Sequence, residues 1–205
     1  MGNVQSVCNK SMTRRLPLIL LLVCVSLSAA IMSTAVQARA QEKYTAFVSV
    51  LPQKFFVNNV AGDRAVVKVL VGPGQSPATF EPTAKQLAEL ADAKIYFRIG
   101  LPFENIWMQR IKAINPVMTV VDMRTDIPLR DLENSEPKST QATNKVHRHG
   151  EGRLDPHIWT DPVLANTMIN TIRLSLNNID PGGSIQYEKN FLRLQTELQL
   201  SLIHI

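Results

Sequence analysis

The residues best suited to chemistry lie in segment 155–162, which reads DPHIWTDP. His157 stands within it, and His147 and His149 precede it in a short His-Arg-His tract. Apart from one histidine near the chain end, these are the only histidines in the sequence. Imidazole is a good ligand for zinc, copper, iron and nickel, and histidine-rich tracts are typical of metal-binding sequences. The segment therefore predicts a transition-metal site with His157, His147 and His149 as candidate ligands.

Each candidate ligand also has an interpretation without a metal. A lone histidine is more often a helix-capping or core residue whose nitrogens bind backbone groups. For His157 the place directly ahead of a helix start favours a ligand, because that position fixes the ring direction toward a cleft. His147 and His149 belong either to a solvated loop or to a flexible collector that passes ions to the fixed site. We expect Asp155 to form a turn and Asp161 to cap the following helix.

The first 40 residues have the composition of an export signal. Three basic residues lie within the first fifteen, and an apolar run over residues 16–31 follows them. Ala38-Arg39-Ala40 then provides a small-x-small cleavage site before Gln41. The apolar run is too short, and too close to this site, to favour a permanent membrane span. We expect residues 1–40 to be a cleaved signal peptide and the remaining chain to be periplasmic or otherwise extracytoplasmic.

Removing that segment changes what the charge and the cysteines indicate. The whole chain has 22 basic and 17 acidic residues, whereas residues 41–205 have 18 and 17, so the net charge falls from +5 to about +1. A nearly neutral chain gives no indication of a nucleic-acid partner. Both cysteines, Cys8 and Cys24, lie in the signal, so the remaining chain has no disulfide and no thiolate ligand. Any metal must be held by imidazole and carboxylate groups.

The sequence lacks the motifs of enzymes that would share an export signal and a histidine metal site. A secreted zinc hydrolase needs a general base beside the metal, usually announced by a motif such as His-Glu-x-x-His. The sequence contains no such motif, and the Gly72-Pro73-Gly74 turn lacks a phosphate-binding pattern. We therefore expect a binding protein and not an enzyme.

Short apolar runs alternate with helical patterns between Gln41 and Asp122. The runs are rich in Val, Ile, Phe and Tyr, as β-strands are. Strands that alternate with helices imply parallel strands joined by right-handed crossovers. The sequence thus predicts an α/β fold for residues 41–183, one parallel-sheet lobe with flanking helices. The predicted strands are residues 46–50, 65–71, 94–99 and 117–121.

Three helices of this lobe are predicted from their start signals. Residues 52–60 form the first, which ends at Ala61-Gly62-Asp63. Thr83 and Gln86 make a capping box for the second, which continues to Ala91. Pro102 begins the third, because proline is favoured at the first helical position. The residues expected to face the core are Leu87, Leu90 and Ala91 in the second helix and Phe103, Ile106, Trp107, Ile111 and Ile114 in the third.

Residues 123–154 form a polar loop that contains His147 and His149. Loops of this length without secondary structure are usually functional or disordered. Asp161 and Pro162 then start a fourth helix, and Ser184 starts a fifth. The apolar stripes of these helices are Leu164, Met168, Ile169, Ile172 and Leu176 in the fourth and Tyr187, Phe191, Leu194 and Leu198 in the fifth.

The chain end has an unusual sequence. Residues 200–205 match one reading frame of a transposon end sequence that is commonly used to build sequencing libraries. We expect this segment to be an artificial terminus, so His204 is excluded from functional interpretation.

Six pieces of sequence, in their order and spacing, resemble the solute-binding proteins of zinc and manganese ABC importers. The resemblance covers residues 44–199. The pieces are VSVLP (48–52), VAGD (60–63), GPGQSPATFEPT (72–83), ADA (91–93), GLPFE (100–104) and DPHIWTDP (155–162).

The resemblance implies two α/β lobes bridged by one long rigid helix, with the metal held between the lobes. Residues 184–199 resemble the start of that linking helix, and we expect the second lobe to follow it and to be absent from this chain. The expected cargo is Zn²⁺, with Mn²⁺ or another divalent ion as the alternative. The expected partner is an ABC permease in the membrane, and the protein itself is expected to be monomeric and to bind no nucleic acid.

The resemblance also implies a ligand set from which this sequence departs. Members of the family draw two histidines from the first lobe and a histidine and a carboxylate from the second. His157 matches the second of the first-lobe pair, but Ala78, which has no donor atom, stands where the first belongs. Either His147, His149 or Glu81 replaces that ligand, or this protein binds metal differently or weakly. A surface adhesin or a metal chaperone of the same fold would share these features with an importer subunit.

Overall fold

Four short parallel strands form one sheet in the order β2-β1-β3-β4. This computed structural model describes residues 42–131 and 154–203. The strands are β1 (Tyr44–Val48), β2 (Ala65–Val69), β3 (Ile95–Arg98) and β4 (Thr119–Asp122). Ala46 of β1 is paired with Val67 on one side and with Ile95 on the other, and Ile95 is paired with Thr119. The predicted α/β fold is confirmed, and each predicted strand lies within two residues of the observed bounds.

In the part of the chain that the structure describes, five α-helices accompany the sheet. They are α1 (Leu51–Ala61), α2 (Ala84–Ala91), α3 (Pro102–Ile114), α4 (Pro162–Ile179) and α5 (Ser184–Ile203). The predicted capping box of α2 is present, since Gln86 N donates to Thr83 Oγ1 at 3.2 Å and Thr83 N donates to Gln86 Oε1 at 2.9 Å. Asp161 caps α4 by accepting Val163 N at 2.8 Å. Among the described residues no helix is both long and apolar enough to cross a membrane.

The order of the strands places the helices on two faces of the sheet. The chain moves from β1 outward to β2 and then reverses direction to form β3 and β4. Right-handed crossovers in opposite directions put α1 on one face and both α2 and α3 on the other. The helix contacts agree, because α4 and α5 pack against α1 and against each other, whereas α2 packs against α3. The predicted flanking helices are therefore present on both faces.

The core continues through the sheet into both helical layers. The central strands β1 and β3 are the most deeply buried, and Phe47, Ile95, Tyr96 and Phe97 are fully buried. The stripe predicted for α4 is confirmed by the complete burial of Met168, Ile169, Ile172 and Leu176, with Leu164 half-buried. In α5 the residues Tyr187, Phe191 and Leu194 are buried as predicted, and Leu198 packs at the edge of the core.

Three residues that were expected to face the core lie outside it. Ile106 is 70% exposed, Ile114 is 39% exposed, and Ala91 is exposed at the end of α2. Phe103 and Ile111 are buried, and Trp107 is half-buried. The prediction was wrong for Ile106 and Ile114 because the apolar stripe of α3 is wider than the surface that covers it, and wrong for Ala91 because it is the last residue of α2. The principal helix neighbour of α3 is the eight-residue α2, which covers only part of that face.

A polar cluster of four side chains fixes the base of α5 to the sheet. The guanidinium of Arg64 donates to both carboxylate oxygens of Asp180, at 2.8 and 2.9 Å. The Tyr187 hydroxyl also donates to Asp180 and lies 3.0 Å from the Tyr44 hydroxyl. Both members of the ion pair are only 11–12% exposed. Gly183 is required beside this cluster, because a Cβ there would lie 2.3 Å from Arg64 Nε.

The next turns of α5 are held to the end of α1 by further hydrogen bonds. Gln186 donates to Asp63 at 2.8 Å, and Asn190 donates to the Val60 carbonyl at 3.0 Å. Arg193 donates to Asn59 at 3.0 Å. These α5 residues are spaced by four and three positions, so they share one face of the helix. Beyond them Leu200, Leu202 and Ile203 are at least 45% exposed.

We expect Arg64→Ala to lower the free energy of unfolding by about 3 kcal/mol, because it leaves the Asp180 carboxylate buried without its ion-pair partner. Urea denaturation followed by circular dichroism measures the loss. Glu197→Ala is the matched control, since it removes the ion pair with Arg193, which is about half exposed on both sides, and such pairs contribute roughly 0–1 kcal/mol. Equal losses in the two variants would contradict the importance of the buried pair.

The same cluster makes the stability of the lobe depend on pH. Burial raises the pKa of Asp180, but the hydrogen bonds from Arg64 and Tyr187 outweigh burial and leave that pKa below its ordinary value. A carboxyl with a lowered folded-state pKa stabilises the fold above its unfolded pKa of about 3.9, and the contribution is lost as the pH falls through the folded value. Below about pH 4, we expect the free energy of unfolding of Asp180→Asn to depend less on pH than that of the wild type. Denaturation at a series of pH values compares the variant with the wild type, and parallel profiles would refute this assignment.

Candidate metal-binding site

His157 lies beside the segment that leaves the carboxyl end of β4. Asp131 and Leu154 form an isolated antiparallel bridge, and Asp155 N donates to the Arg130 carbonyl at 2.8 Å. These bonds hold the main chain just before His157 against residues 130–131. Ligands of open α/β sheets bind at the carboxyl ends of the strands, so His157 is at the edge of the sheet where a ligand is expected.

The main chain around His157 is fixed by a short turn. A 3-10 helix over Ile158–Thr160 follows it, and the side chain of Ile158 is 3% exposed. Thr160 donates to the His157 carbonyl from its hydroxyl at 2.7 Å and from its N–H at 3.2 Å. Asp161 then caps α4. The buried isoleucine and the capped helix therefore hold the backbone of His157 from its carboxyl side.

The ring of His157 has one nitrogen bound and faces solvent. Its Nδ1 lies 2.6 Å from Asp155 Oδ1, which also accepts the His157 backbone N–H at 3.0 Å. Trp159 meets the imidazole edge to face at a centroid distance of 5.2 Å. The side chain is 59% exposed, so His157 is not a core histidine. Within residues 42–131 and 154–203, Nε2 has no hydrogen-bond partner.

Asp155 is ionised at neutral pH because its contacts favour the charged form. The hydrogen bond from the His157 backbone N–H lowers the pKa of this carboxyl, and the contact with the imidazole adds to the effect. The turn predicted for Asp155 is confirmed by that backbone bond, but the contact with the ring was not predicted. An aspartate two residues before the histidine, separated from it by proline, was the signal available in the sequence.

A small cleft opens at the His157 side chain. Its volume is about 60 Å³, far below the several hundred Å³ of a pocket for an organic ligand. Pro128, Arg130 and Thr160 contribute to its walls together with Asp155 and His157. The size and the polar lining suit an ion with its water molecules.

The buried carboxylate of Glu104 organises the neighbouring part of the carboxyl edge. Glu104 is fully buried and accepts the N–H groups of Ile99 at 2.9 Å and Gly100 at 2.6 Å, together with that of Leu101. The Ser49 hydroxyl, which follows β1, donates to the same carboxylate. Glu104 therefore ties the start of α3 to the loop that follows β3.

Gln53 completes the connection between β1 and β3. Its side-chain oxygen accepts the N–H groups of Ser49 at 2.9 Å and Val50 at 3.0 Å, and its amide donates to the Phe97 carbonyl at 3.0 Å. Since the Gln53 and Glu104 side chains are buried and bonded within the protein, they are not available as metal ligands.

The remaining candidate ligands are not brought to His157 by the described part of the chain. Ala78 and Glu81 are exposed in the loop between β2 and α2. Within residues 42–131 and 154–203, no group of three or more His, Cys, Asp or Glu side chains could hold a metal ion. His147, His149, the expected signal peptide and the last two residues lie outside the described residues. For them, and for the proposed domain bounds, the sequence-based expectations stay predictions.

The exposed imidazole of His157 lies at the carboxyl edge of a parallel sheet, where open α/β folds bind small ligands. The family described as zinc-uptake complex component A, periplasmic, matches residues 47–201 of this chain. The chain belongs to that family, as the resemblance indicated.

Individual relatives agree with the family match. The zinc-binding lipoprotein AdcA of Streptococcus pneumoniae is 29% identical over 181 residues, which is 80% of this chain and 32% of that protein. The manganese-binding lipoprotein MntA of Halalkalibacterium halodurans is 28% identical over 143 residues, covering 70% of this chain and 42% of the relative. A crystal structure of ZnuA superposes with a TM-score of 0.65 at 33% identity, covering 77% of this chain and 55% of that one. The chain thus spans about a third to a half of the length of these relatives.

We expect Glu104→Gln to lower the free energy of unfolding by about 3 kcal/mol, because both carboxylate oxygens accept hydrogen bonds and the amide NH₂ that replaces one of them would face backbone or hydroxyl donors. Thermal and urea denaturation measure the effect. Glu188→Gln, at a carboxylate that is 47% exposed, is the control and should change stability by less than about 1 kcal/mol. A Glu104→Gln protein as stable as the control would show that the carboxylate is dispensable.

Proposed function

We propose that this chain is the first lobe of an extracytoplasmic solute-binding protein that captures a divalent metal ion for an ABC importer, with zinc as the principal cargo. The observation that carries the proposal is the geometry of His157. Its ring is exposed at the carboxyl edge of the sheet, its Nδ1 is held by the Asp155 carboxylate, and its side chain lines a cleft of about 60 Å³. The family membership supports the same function.

The chemistry of the available donors favours zinc over manganese. Imidazole nitrogen suits zinc, whereas manganese prefers carboxylate, carbonyl and water oxygens. Residues 41–205 contain no cysteine, so the site uses nitrogen and oxygen donors. Among the relatives AdcA is named for zinc and MntA for manganese, which leaves Mn²⁺ as the alternative cargo.

Binding, and not catalysis, is the task of this site. His157 donates a lone pair to the ion, and no covalent bond of a substrate is made or broken. A second lobe would complete the coordination shell and present the loaded form to the permease. Release then needs only a change in the distance between the two lobes. The protein acts as a monomer outside the cytoplasm after removal of residues 1–40, and it binds no nucleic acid.

The first-lobe ligand that Ala78 lacks has to come from elsewhere. His147 and His149 are the proposed source, because they are the other imidazoles upstream of His157 and the bridge between Asp131 and Leu154 brings both ends of their segment to the site. They then either bind the ion together with His157 or collect ions and pass them to it.

In the complete two-lobed protein we expect His157→Ala to weaken zinc binding by about 100-fold, and the first lobe alone should bind zinc far more weakly than that protein. A complete zinc site contributes roughly 10–16 kcal/mol, so one of four ligands accounts for about 3 kcal/mol. Isothermal titration calorimetry compares the wild type, His157→Ala and a His147→Ala/His149→Ala double variant. Binding should also weaken in acid, because a protonated imidazole has no free lone pair for the ion. An unchanged affinity in His157→Ala would refute the proposed site. If the double variant alone loses zinc, the loop and not His157 is the site.

A further inference from the structure

Two Asp-Pro pairs flank His157, and their carboxylates have different partners. Asp161, before Pro162, accepts the N–H groups of Val163 at 2.8 Å and Leu164 at 3.4 Å and so caps α4. Asp155, before Pro156, accepts the His157 N–H and also contacts the imidazole Nδ1 at 2.6 Å. A turn-forming aspartate needs only the bond to the backbone. The contact with the ring is therefore an additional feature with its own consequence.

We propose that Asp155 is a positioning residue for His157, which holds the proton of the neutral imidazole on Nδ1 and so leaves the Nε2 lone pair free for the metal ion. This inference rests on the proposed function. A neutral imidazole has one donor and one acceptor nitrogen, and the hydrogen bond made by one nitrogen decides which role the other takes. A carboxylate can only accept at Nδ1, so the acceptor nitrogen of the ring is Nε2.

The position of Asp155 is itself fixed, which is what a positioning residue requires. Asp155 N donates to the Arg130 carbonyl at 2.8 Å, next to the bridge between Asp131 and Leu154. Pro156 is buried, and its ring fixes the backbone between the aspartate and the histidine. On the other side of the imidazole, Trp159 packs edge to face. The ring is thus held between a charged acceptor and an aromatic side chain.

The free nitrogen is the one that can reach a metal ion outside the turn. Nδ1 faces back toward Asp155, whereas the side chain as a whole is 59% exposed. A carboxylate bonded to the far nitrogen also makes the coordinating nitrogen a stronger donor, and loss of such a partner typically costs 10–100-fold in metal affinity. Asp155 therefore raises affinity for the ion without touching it.

The first test determines the tautomer of His157 in the metal-free protein. Imidazole ¹⁵N chemical shifts, assigned by loss of the His157 signals in His157→Gln, should show the Nδ1–H form in the wild type. Asp155→Asn keeps the size of the side chain and removes its charge, so it should shift the population toward the Nε2–H form. A wild-type ring that carries its proton on Nε2 would overturn the proposal, whatever the folding of the variants.

The second test measures zinc affinity with a matched pair of substitutions. Asp155→Asn should weaken binding by about 10–100-fold. Asp63→Asn makes the same chemical change at the amino end of β2, the opposite edge of the sheet, at an aspartate that accepts a hydrogen bond from Gln186, and it should leave the affinity within about twofold. Equal effects of the two substitutions on affinity would overturn the positioning role and indicate a general loss of structure.

His157→Ala separates the failure of this inference from the failure of the proposed function. If His157→Ala weakens zinc binding and Asp155→Asn does not, the metal site stands and the positioning role is wrong. If neither substitution changes zinc affinity, the proposed function is wrong together with the positioning role. Weakening by both, with the affinity of Asp63→Asn unchanged, supports the assignment of Asp155.

Discussion

A buried carboxylate at the carboxyl ends of two neighbouring strands is the constraint on which the lobe depends. Glu104 is fully buried, and it binds the three N–H groups after β3, the Ser49 hydroxyl after β1 and, at 3.4 Å, the guanidinium of Arg98. An unpaired charge at this depth would cost several kcal/mol, so all these donors must stay in place together. These bonds fix the turns that follow β1 and β3, and they define the residue at which α3 starts.

The metal site uses a different principle at the same edge of the sheet. His157 is exposed, and its geometry comes from its own segment through Asp155, Thr160 and the capped start of α4. A site for transported cargo has to remain open to solvent until the ion arrives. The rigid backbone on both sides of the exposed ring orients the donor nitrogen before the ion binds, so little conformational entropy is lost on binding.

Much of the fold followed from local patterns in the sequence. Thr83 with Gln86, and Asp161 with Pro162, identified two helix starts because capping acts between residues that are three positions apart or fewer. The strands were recognised from apolar runs, and their parallel order from the alternation with helices. The burial of α3 was predicted less well, since periodicity shows which residues share a face but not how much of that face a neighbour covers. Ile106 and Ile114 share a stripe with Phe103, yet only Phe103 is covered completely.

The sequence by itself determined that the candidate donor is imidazole, that residues 41–205 offer no thiolate ligand, and that His157 precedes a helix. Tertiary structure decided where that histidine lies, since the hydrogen bond from Asp155 N to the Arg130 carbonyl holds the segment before His157 against residues that follow β4. The tertiary structure also decided how the start of α5 is held, because Arg64 pairs with Asp180, which lies 116 positions further along the sequence. Contacts between residues far apart in the chain depend on how whole elements pack, and no local pattern of residue types encodes that packing.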